Sequence, residues 1–278
     1  MSKLAEFSDG QKIPQLGFGV AGILPEDTQA MVEGALGAGY LMIDNASIYK
    51  NEVEVGRALE RSDVAAGDVF VTSKVWPLDY GFDNVIKACH KSLGDLRREA
   101  FDLYLLHWPV PSLGLYVESW KALIELQKQG LVKSIGVSNF YPEQLQKLID
   151  ETGVVPVINQ IELHPYYQRR AEKKFHDEHN IVTQCWSPLG RATCLLDDAL
   201  VGIAAKHDKT PAQIVLNWQI EQGNVVIPRS RNMGRMQQNF DVYGFELDDE
   251  DRRQIAALDK GLDGRLGEDF DLKELPND

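Results

Sequence analysis

Cysteine is nearly missing from this chain: there are three, Cys89, Cys185 and Cys194, among 278 residues. An odd count without metal-ligand spacing builds neither a disulfide framework nor a zinc site, so the expectation is reduced thiols in a cytoplasmic protein. Long apolar runs are missing as well, and none approaches the roughly 20 residues that cross a bilayer. The opening Met1-Ser2-Lys3-Leu4-Ala5-Glu6-Phe7-Ser8-Asp9 lacks the apolar segment of a secretion signal. Positive charge is scarce: 29 Lys and Arg stand against 42 Asp and Glu, a net charge of −13. That field argues against nucleic acid or an anionic membrane as a partner. Any anionic ligand must therefore meet a locally basic patch.

What remains is the composition of an ordinary globular protein, 44% hydrophobic and 26% charged. Near the start, Ala5-Glu6-Phe7 and Lys12-Ile13-Pro14 flank Ser8-Asp9-Gly10-Gln11, an Asp-Gly hairpin signal over about residues 5–15. A beat of strand and helix follows. Apolar strand runs fall at 16–19, 41–44, 69–74, 101–107, 133–138, 155–162, 181–187 and 224–228, and helical spacing begins near Thr28, Asn51, Phe82, Tyr116 and Pro142. Eight strands alternating with eight or more helices predict an α/β protein, a (β/α)8 TIM barrel with the N-terminal β-hairpin at its base. The whole of 1–278 is expected to form one domain, with a C-terminal tail at about 262–278.

A doubly wound sheet competes through Gly17-Phe18-Gly19-Val20-Ala21-Gly22, which fits G-x-G-x-x-G and is followed by Asp44 at a ribose-ligand distance. That motif needs its glycines in the turn that opens the helix. Here Ile23-Leu24-Pro25-Glu26-Asp27 intervenes before the helical pattern, so the match is read as accidental.

In a barrel the chemistry sits at the C-terminal ends of the strands. Those ends read Asp44, Lys74, His107, Ser138-Asn139, Asn159-Gln160 with Glu162 and His164, Trp186-Ser187 and Arg229-Ser230, a polar rim fed by apolar strands. Tyr49 follows Asp44 by five residues. A phenol is a poor acid at neutral pH. An ammonium about 4 Å away contributes roughly 4 kcal/mol at an effective dielectric of about 20, which would lower the phenol pKa by about three units before desolvation opposes it. Asp44 would keep Lys74 charged, and His107 could fix a carbonyl oxygen beside Tyr49. Together the four can protonate a developing alkoxide.

At this point the residues resemble a family. Asp44 with Tyr49, Lys74, Leu105-Leu106-His107-Trp108-Pro109, Ile135-Gly136-Val137-Ser138-Asn139-Phe140, Asn159-Gln160-Ile161-Glu162-Leu163-His164-Pro165 and Trp186-Ser187-Pro188-Leu189-Gly190 are similar to the aldo-keto reductases. The likeness is strongest to small bacterial members related to 2,5-diketo-D-gluconate reductases. The resemblance implies a barrel that binds NADPH in extended form, with NADH as a weaker alternative, and a hydride transfer to a small aldehyde, ketone or keto-sugar acid. Tyr49 would protonate the oxygen, Lys74 and Asp44 would tune it, and His107 would orient the substrate. Ser138, Asn139 and Gln160 would hold the carboxamide and Trp186 would stack on the nicotinamide. Ser187 and Leu189 would contact pyrophosphate and ribose. Arg229, Ser230 and Arg235 would take the 2′-phosphate, with Asn239 near the adenine.

Departures from the family pattern modify these expectations. Ala21 replaces a large aromatic of the substrate pocket, which predicts a wider or differently walled site beside Trp76, Trp108 and Tyr80. Asn45 replaces a threonine, Arg229 a lysine and Gln238 a glutamate. The segment Arg191-Ala192-Thr193-Cys194 is short, predicting a loose belt over the cofactor. His176 and His179 are read as solvent-exposed on a charged helix, and no metal site is expected. Two rivals are retained: a nucleotide-binding regulatory subunit on the same fold, and a metal-dependent barrel hydrolase. The protein is expected to be a monomer.

Overall fold

A computed structural model describes residues 3–267. The expected hairpin forms: β1 (Leu4–Glu6) pairs antiparallel with β2 (Lys12–Pro14), and Gly10 supplies the positive φ, 84°, that the turn requires. Phe7 and Ile13 pack with Met42, Leu103, Val157 and Val225, and Asp9 accepts a hydrogen bond from Ser134 Oγ at 2.8 Å. These partners lie toward the N-terminal ends of the strands, so the hairpin closes the floor of the barrel.

Eight parallel strands follow, each paired with its neighbour in chain order. They are β3 (Phe18–Gly19), β4 (Met42–Asp44), β5 (Phe70–Val75), β6 (Phe101–Leu106), β7 (Val132–Ser138), β8 (Ile158–Glu162), β9 (Val182–Trp186) and β10 (Val225–Val226). The ring closes between first and last. Leu16 bridges Val226 in parallel, Gly17 N donates to Val226 O at 2.9 Å, and Val226 N donates to Gln15 O at 2.8 Å. Every residue of β6 is buried, as expected of a strand covered on both faces.

The helices are α1 (Pro25–Gly37), α2 (Glu52–Arg61), α3 (Phe82–Asp95), α4 (Tyr116–Lys128), α5 (Pro142–Thr152), α6 (Arg170–Glu178), α7 (Asp198–His207), α8 (Pro211–Glu221), α9 (Met233–Phe240) and α10 (Asp249–Ala256). They dress the outside of the ring; α3 shows how, burying Val85, Cys89, Ser92 and Leu93 at helical spacing.

Two expectations are corrected. Helix α1 starts at Pro25, three residues ahead of Thr28, because the proline that reads as a loop breaker is the first-turn proline, with Glu26 and Asp27 beside it. His176 is fully buried. Its Nε2 accepts from Asn159 Nδ2 at 3.0 Å and its Nδ1 lies 2.9 Å from Thr183 Oγ1, a pairing that the charged neighbours on α6 conceal in the sequence. The tail expected at about 262–278 is described through a short turn, Gly261–Gly264, to Gly267; the rest of that expectation lies outside the described residues.

Candidate active site

At the end of β4, Asp44 is buried and accepts from Lys74 Nζ of β5 at 2.6 Å. Lys74, fully buried, also donates to the Asn45 carbonyl at 2.8 Å. The lysine thus depends on the backbone at position 45, which the exchange of threonine for asparagine leaves intact. The other carboxylate oxygen of Asp44 accepts from Gln160 Nε2 at 2.7 Å, and the same nitrogen donates to Gln184 Oε1 at 2.7 Å. Tyr49 arrives on a single helical turn, Ser47–Tyr49, ended by Lys50 in the left-handed region and tied to β5 by Ser47 Oγ donating to Lys74 O at 3.1 Å. Its ring centroid lies 5.3 Å from Lys74 Nζ and 5.7 Å from the His107 ring, edge to face.

The charges of this group are set by burial. It pushes the Tyr49 phenol above its ordinary range; Lys74 pulls the other way and Asp44 reinforces the rise. The net direction is up, so the lowering anticipated from Lys74 alone is outweighed and Tyr49 rests protonated. Burial pulls Lys74 down, but Asp44 and Tyr49 outweigh it and hold it charged. His107 is lowered well below its usual value by burial and then by Lys74, so its ring is neutral, and its Nδ1 has no partner.

A second group lies beside the first. Asn139, in the left-handed conformation with φ 64°, sends Nδ2 to the His107 carbonyl at 3.0 Å and to Ser138 Oγ at 2.9 Å. Its Oδ1 accepts from Trp186 Nε1 at 2.7 Å, and Ser138 Oγ donates to Gln160 O at 2.9 Å. A backbone held in a sparsely populated region by four such contacts is a signature of functional sites.

Both groups face one cavity of about 1530 Å³ that runs over the C-terminal rim. Asp44, Tyr49, His107, Trp108, Ser138, Asn139, Gln160 and Trp186 line its deep end. Ser187 and Leu189 line its middle, and Arg229, Ser230, Arg235, Gln238 and Asn239 its far end. Arg191 and Arg231 join that far end, and among the described residues Asp44, already paired, is the only carboxylate in the lining. This is the basic patch that an acidic chain requires. Arg229 is lowered by burial and then by the positive charges of Arg231 and Arg191, the crowding of like charges expected where an anion is to be received.

Ala21 lies beside the arginines. Arg229 Nη1 donates to its carbonyl at 2.6 Å, and a Cβ on Gly22 would come within 2.5 Å of that nitrogen. The guanidinium is thus seated on the backbone of Ala21 and Gly22. Trp108 faces the cavity, with its carbonyl held by Tyr80 OH at 2.6 Å. Trp76 lies one layer behind, edge-on to His107 at 5.1 Å, and is absent from the lining. Glu162 and His164 pair with each other at 3.0 Å, and among the described residues no group of three potential ligands is placed to hold a metal. Sequence reasoning missed Gln184 and Arg231, and took Arg191 only as part of a short belt. Gln184 sits two residues before the end of β9 with no motif of its own, whereas a count of arginines near the phosphate motif would have found Arg231.

Comparison with known proteins agrees with this geometry. The sequence profile of the Aldo/keto reductase family matches residues 15–260. An aldo-keto reductase of Mycolicibacterium smegmatis is 46% identical over 269 residues, 97% of each chain. The methylglyoxal reductase DkgA of Escherichia coli K12 is 47% identical over 268 residues, 96% of each chain. Among solved structures, Gox0644 in its apo form has a TM-score of 0.95 at 46% identity, covering 99% of this chain and 100% of its own. A mutant of Gox0644 in complex with NADPH gives the same score, identity and coverage. A continuous match across the barrel and its rim leaves one assignment: the chain belongs to the aldo/keto reductase family and is an NAD(P)H-dependent oxidoreductase.

Proposed function

We propose that the protein reduces small aldehydes, ketones or keto-sugar acids with NADPH, and that Tyr49 donates the proton. The observation that carries this reading is the single cavity with a protonated phenol over a buried Lys74–Asp44 pair at one end and four arginines at the other. The cofactor, when bound, supplies the hydride. Everything else falls to the chain. Neutral His107 donates one hydrogen bond to the carbonyl oxygen and fixes it near Tyr49. Lys74 stabilises the phenolate that forms as Tyr49 releases its proton, and Asp44 keeps Lys74 in place. Asn139 and Ser138 orient the carboxamide. Both protons of Gln160 Nε2 are committed to Asp44 and Gln184, which leaves its Oε1 to accept from a carboxamide N–H. Trp186 offers the nicotinamide its face, and Ser187 and Leu189 lie along the path of the pyrophosphate and ribose. Arg229, Ser230 and Arg235 receive the 2′-phosphate and Asn239 the adenine.

The relative named methylglyoxal reductase supports a small oxo-aldehyde as the first substrate to try, and the NADPH complex of Gox0644 supports the cofactor. Free, buried thiols, with Cys89 and Cys185 pushed up to about 12 by burial, support a reducing, cytoplasmic setting. The test is NADPH oxidation with methylglyoxal and a panel of small carbonyls, run on the parent and on Tyr49→Phe. Turnover by the parent, with a drop of about 10²–10⁴ in the variant and unchanged NADPH binding, is the expected result. NADPH binding without turnover in either protein would replace the enzyme with a nucleotide-binding subunit.

A further inference from the structure

Glu162 ends β8 as a carboxylate only 1% exposed, yet no lysine or arginine among the described residues forms an ion pair with it. Its Oε1 accepts from Leu266 N at 2.7 Å and lies 3.0 Å from His164 Nε2; its Oε2 accepts from Gly267 N at 2.8 Å. Burial pushes the carboxyl up, but the bonds from His164, Leu266 and Gly267 outweigh it and keep it ionised, so His164 is the donor of that pair. A buried negative charge is therefore spent on backbone more than a hundred residues further along the chain. The glycines of that segment show how closely it is seated. A Cβ at Gly264 would fall 1.8 Å from Tyr166 O, and one at Gly267 would fall 2.5 Å from Trp186 Cη2 and 2.8 Å from Glu162 Oε2.

Trp186 is the register partner of Glu162 across β8 and β9. Its pyrrole N–H is held by Asn139 at 2.7 Å, and Gly267 closes on the benzene ring at Cη2 and Cζ2, further along the same side of the indole. We propose that Glu162 is a positioning residue for the cofactor: it pins Leu266 and Gly267 against the benzene ring of Trp186, so that the indole is held at each of its two rings and its plane is fixed. This rests on the reading of Trp186 as the wall on which the nicotinamide stacks. A fixed wall raises affinity because less rotamer freedom remains to be lost on binding.

The experiment is a double-mutant cycle on the full chain with NADPH as ligand, binding being read by energy transfer from protein tryptophan to the cofactor. Glu162→Gln presents an amide N–H₂ where the backbone donors need an acceptor, and Gly267→Ala drives a methyl into the indole edge. Each is expected to raise the Kd for NADPH about tenfold in the parent background. In the Trp186→Phe background, each is expected to change it less than twofold. Should Glu162→Gln fail to fold, Gly267→Ala carries the same comparison with the carboxylate intact. Equal weakening in both backgrounds, or none in either, overturns the inference. A parent that binds no NADPH overturns the proposed function itself, and this inference with it.

Discussion

A fully buried ammonium survives only where its charge is answered, and Lys74 is answered by Asp44 and the Asn45 carbonyl. Lys74→Met would leave Asp44 buried with Gln160 as its remaining side-chain partner, a loss of about 3–5 kcal/mol of stability, read as a lower urea midpoint at unchanged slope. Tyr49→Phe should stay within about 1 kcal/mol of the parent, since Lys74 loses one partner but keeps Asp44 and the Asn45 carbonyl. His107 makes a separate prediction. Its pKa is held well below the ordinary imidazole value, so its protonated form is absent through neutral pH. The pH profile of kcat/KM should therefore show no limb near about 6.5; a limb there that vanishes in His107→Gln would contradict the neutral assignment. These four residues were legible in the sequence because each ends an apolar run or follows one at a short, fixed interval. Gln184 was not. Its importance lies in the second proton of Gln160, a contact between two strands that no one-dimensional pattern encodes.

At the scale of elements, the strands were readable because both faces of a barrel strand are covered, which writes them as unbroken apolar runs. Two-residue β3 and β10 are shorter than their runs because the chain leaves the ring there to make the seam. The loops were harder. The arginine end of the cavity draws on three of them: after β3 through the Ala21 carbonyl, after β9 through Arg191, and after β10 through Arg229 and Arg231, with Arg235 following on α9. The motif of the second stops at Gly190; Arg191 comes near by virtue of a left-handed φ of 49° in a loop whose path no spacing predicts. With the 2′-phosphate placed as proposed, the arginines sum their fields on it, and Arg229→Met should raise KM for NADPH about 10–100-fold while leaving KM for NADH within about threefold. Steady-state kinetics with both cofactors decides it, and an equal rise for the two would assign Arg229 to the shared part of the nucleotide.

For the molecule as a whole, acid is the weak side. His176 is held neutral inside the barrel wall, its pKa lowered from 6.5 to about 3 by burial and then by Arg169, Lys173 and His179. Between those values the unfolded chain binds a proton that the folded chain refuses, so stability is full above the ordinary pKa and falls as pH drops toward the lowered one. From pH 7 to 4.5 the loss from this group is about 2–3 kcal/mol. Thermal midpoints at the two pH values should differ less in His176→Gln than in the parent; an equal difference would move the acid sensitivity elsewhere.

The seam between β3 and β10 joins the first strand of the ring to the last, and the cavity straddles it, with Gly19, Ala21 and Gly22 on one bank and Ile227 to Arg231 on the other. A chain emerging from the ribosome has Asp44, Tyr49 and Lys74 in hand long before Arg229 exists. The arginine end of the cavity, where the nucleotide phosphate is proposed to sit, is not complete until β10 has been made and the ring has shut. Loading, as proposed, is thus a report that the ring has closed, with the nucleotide acting as a clasp across the join between its first and last strands.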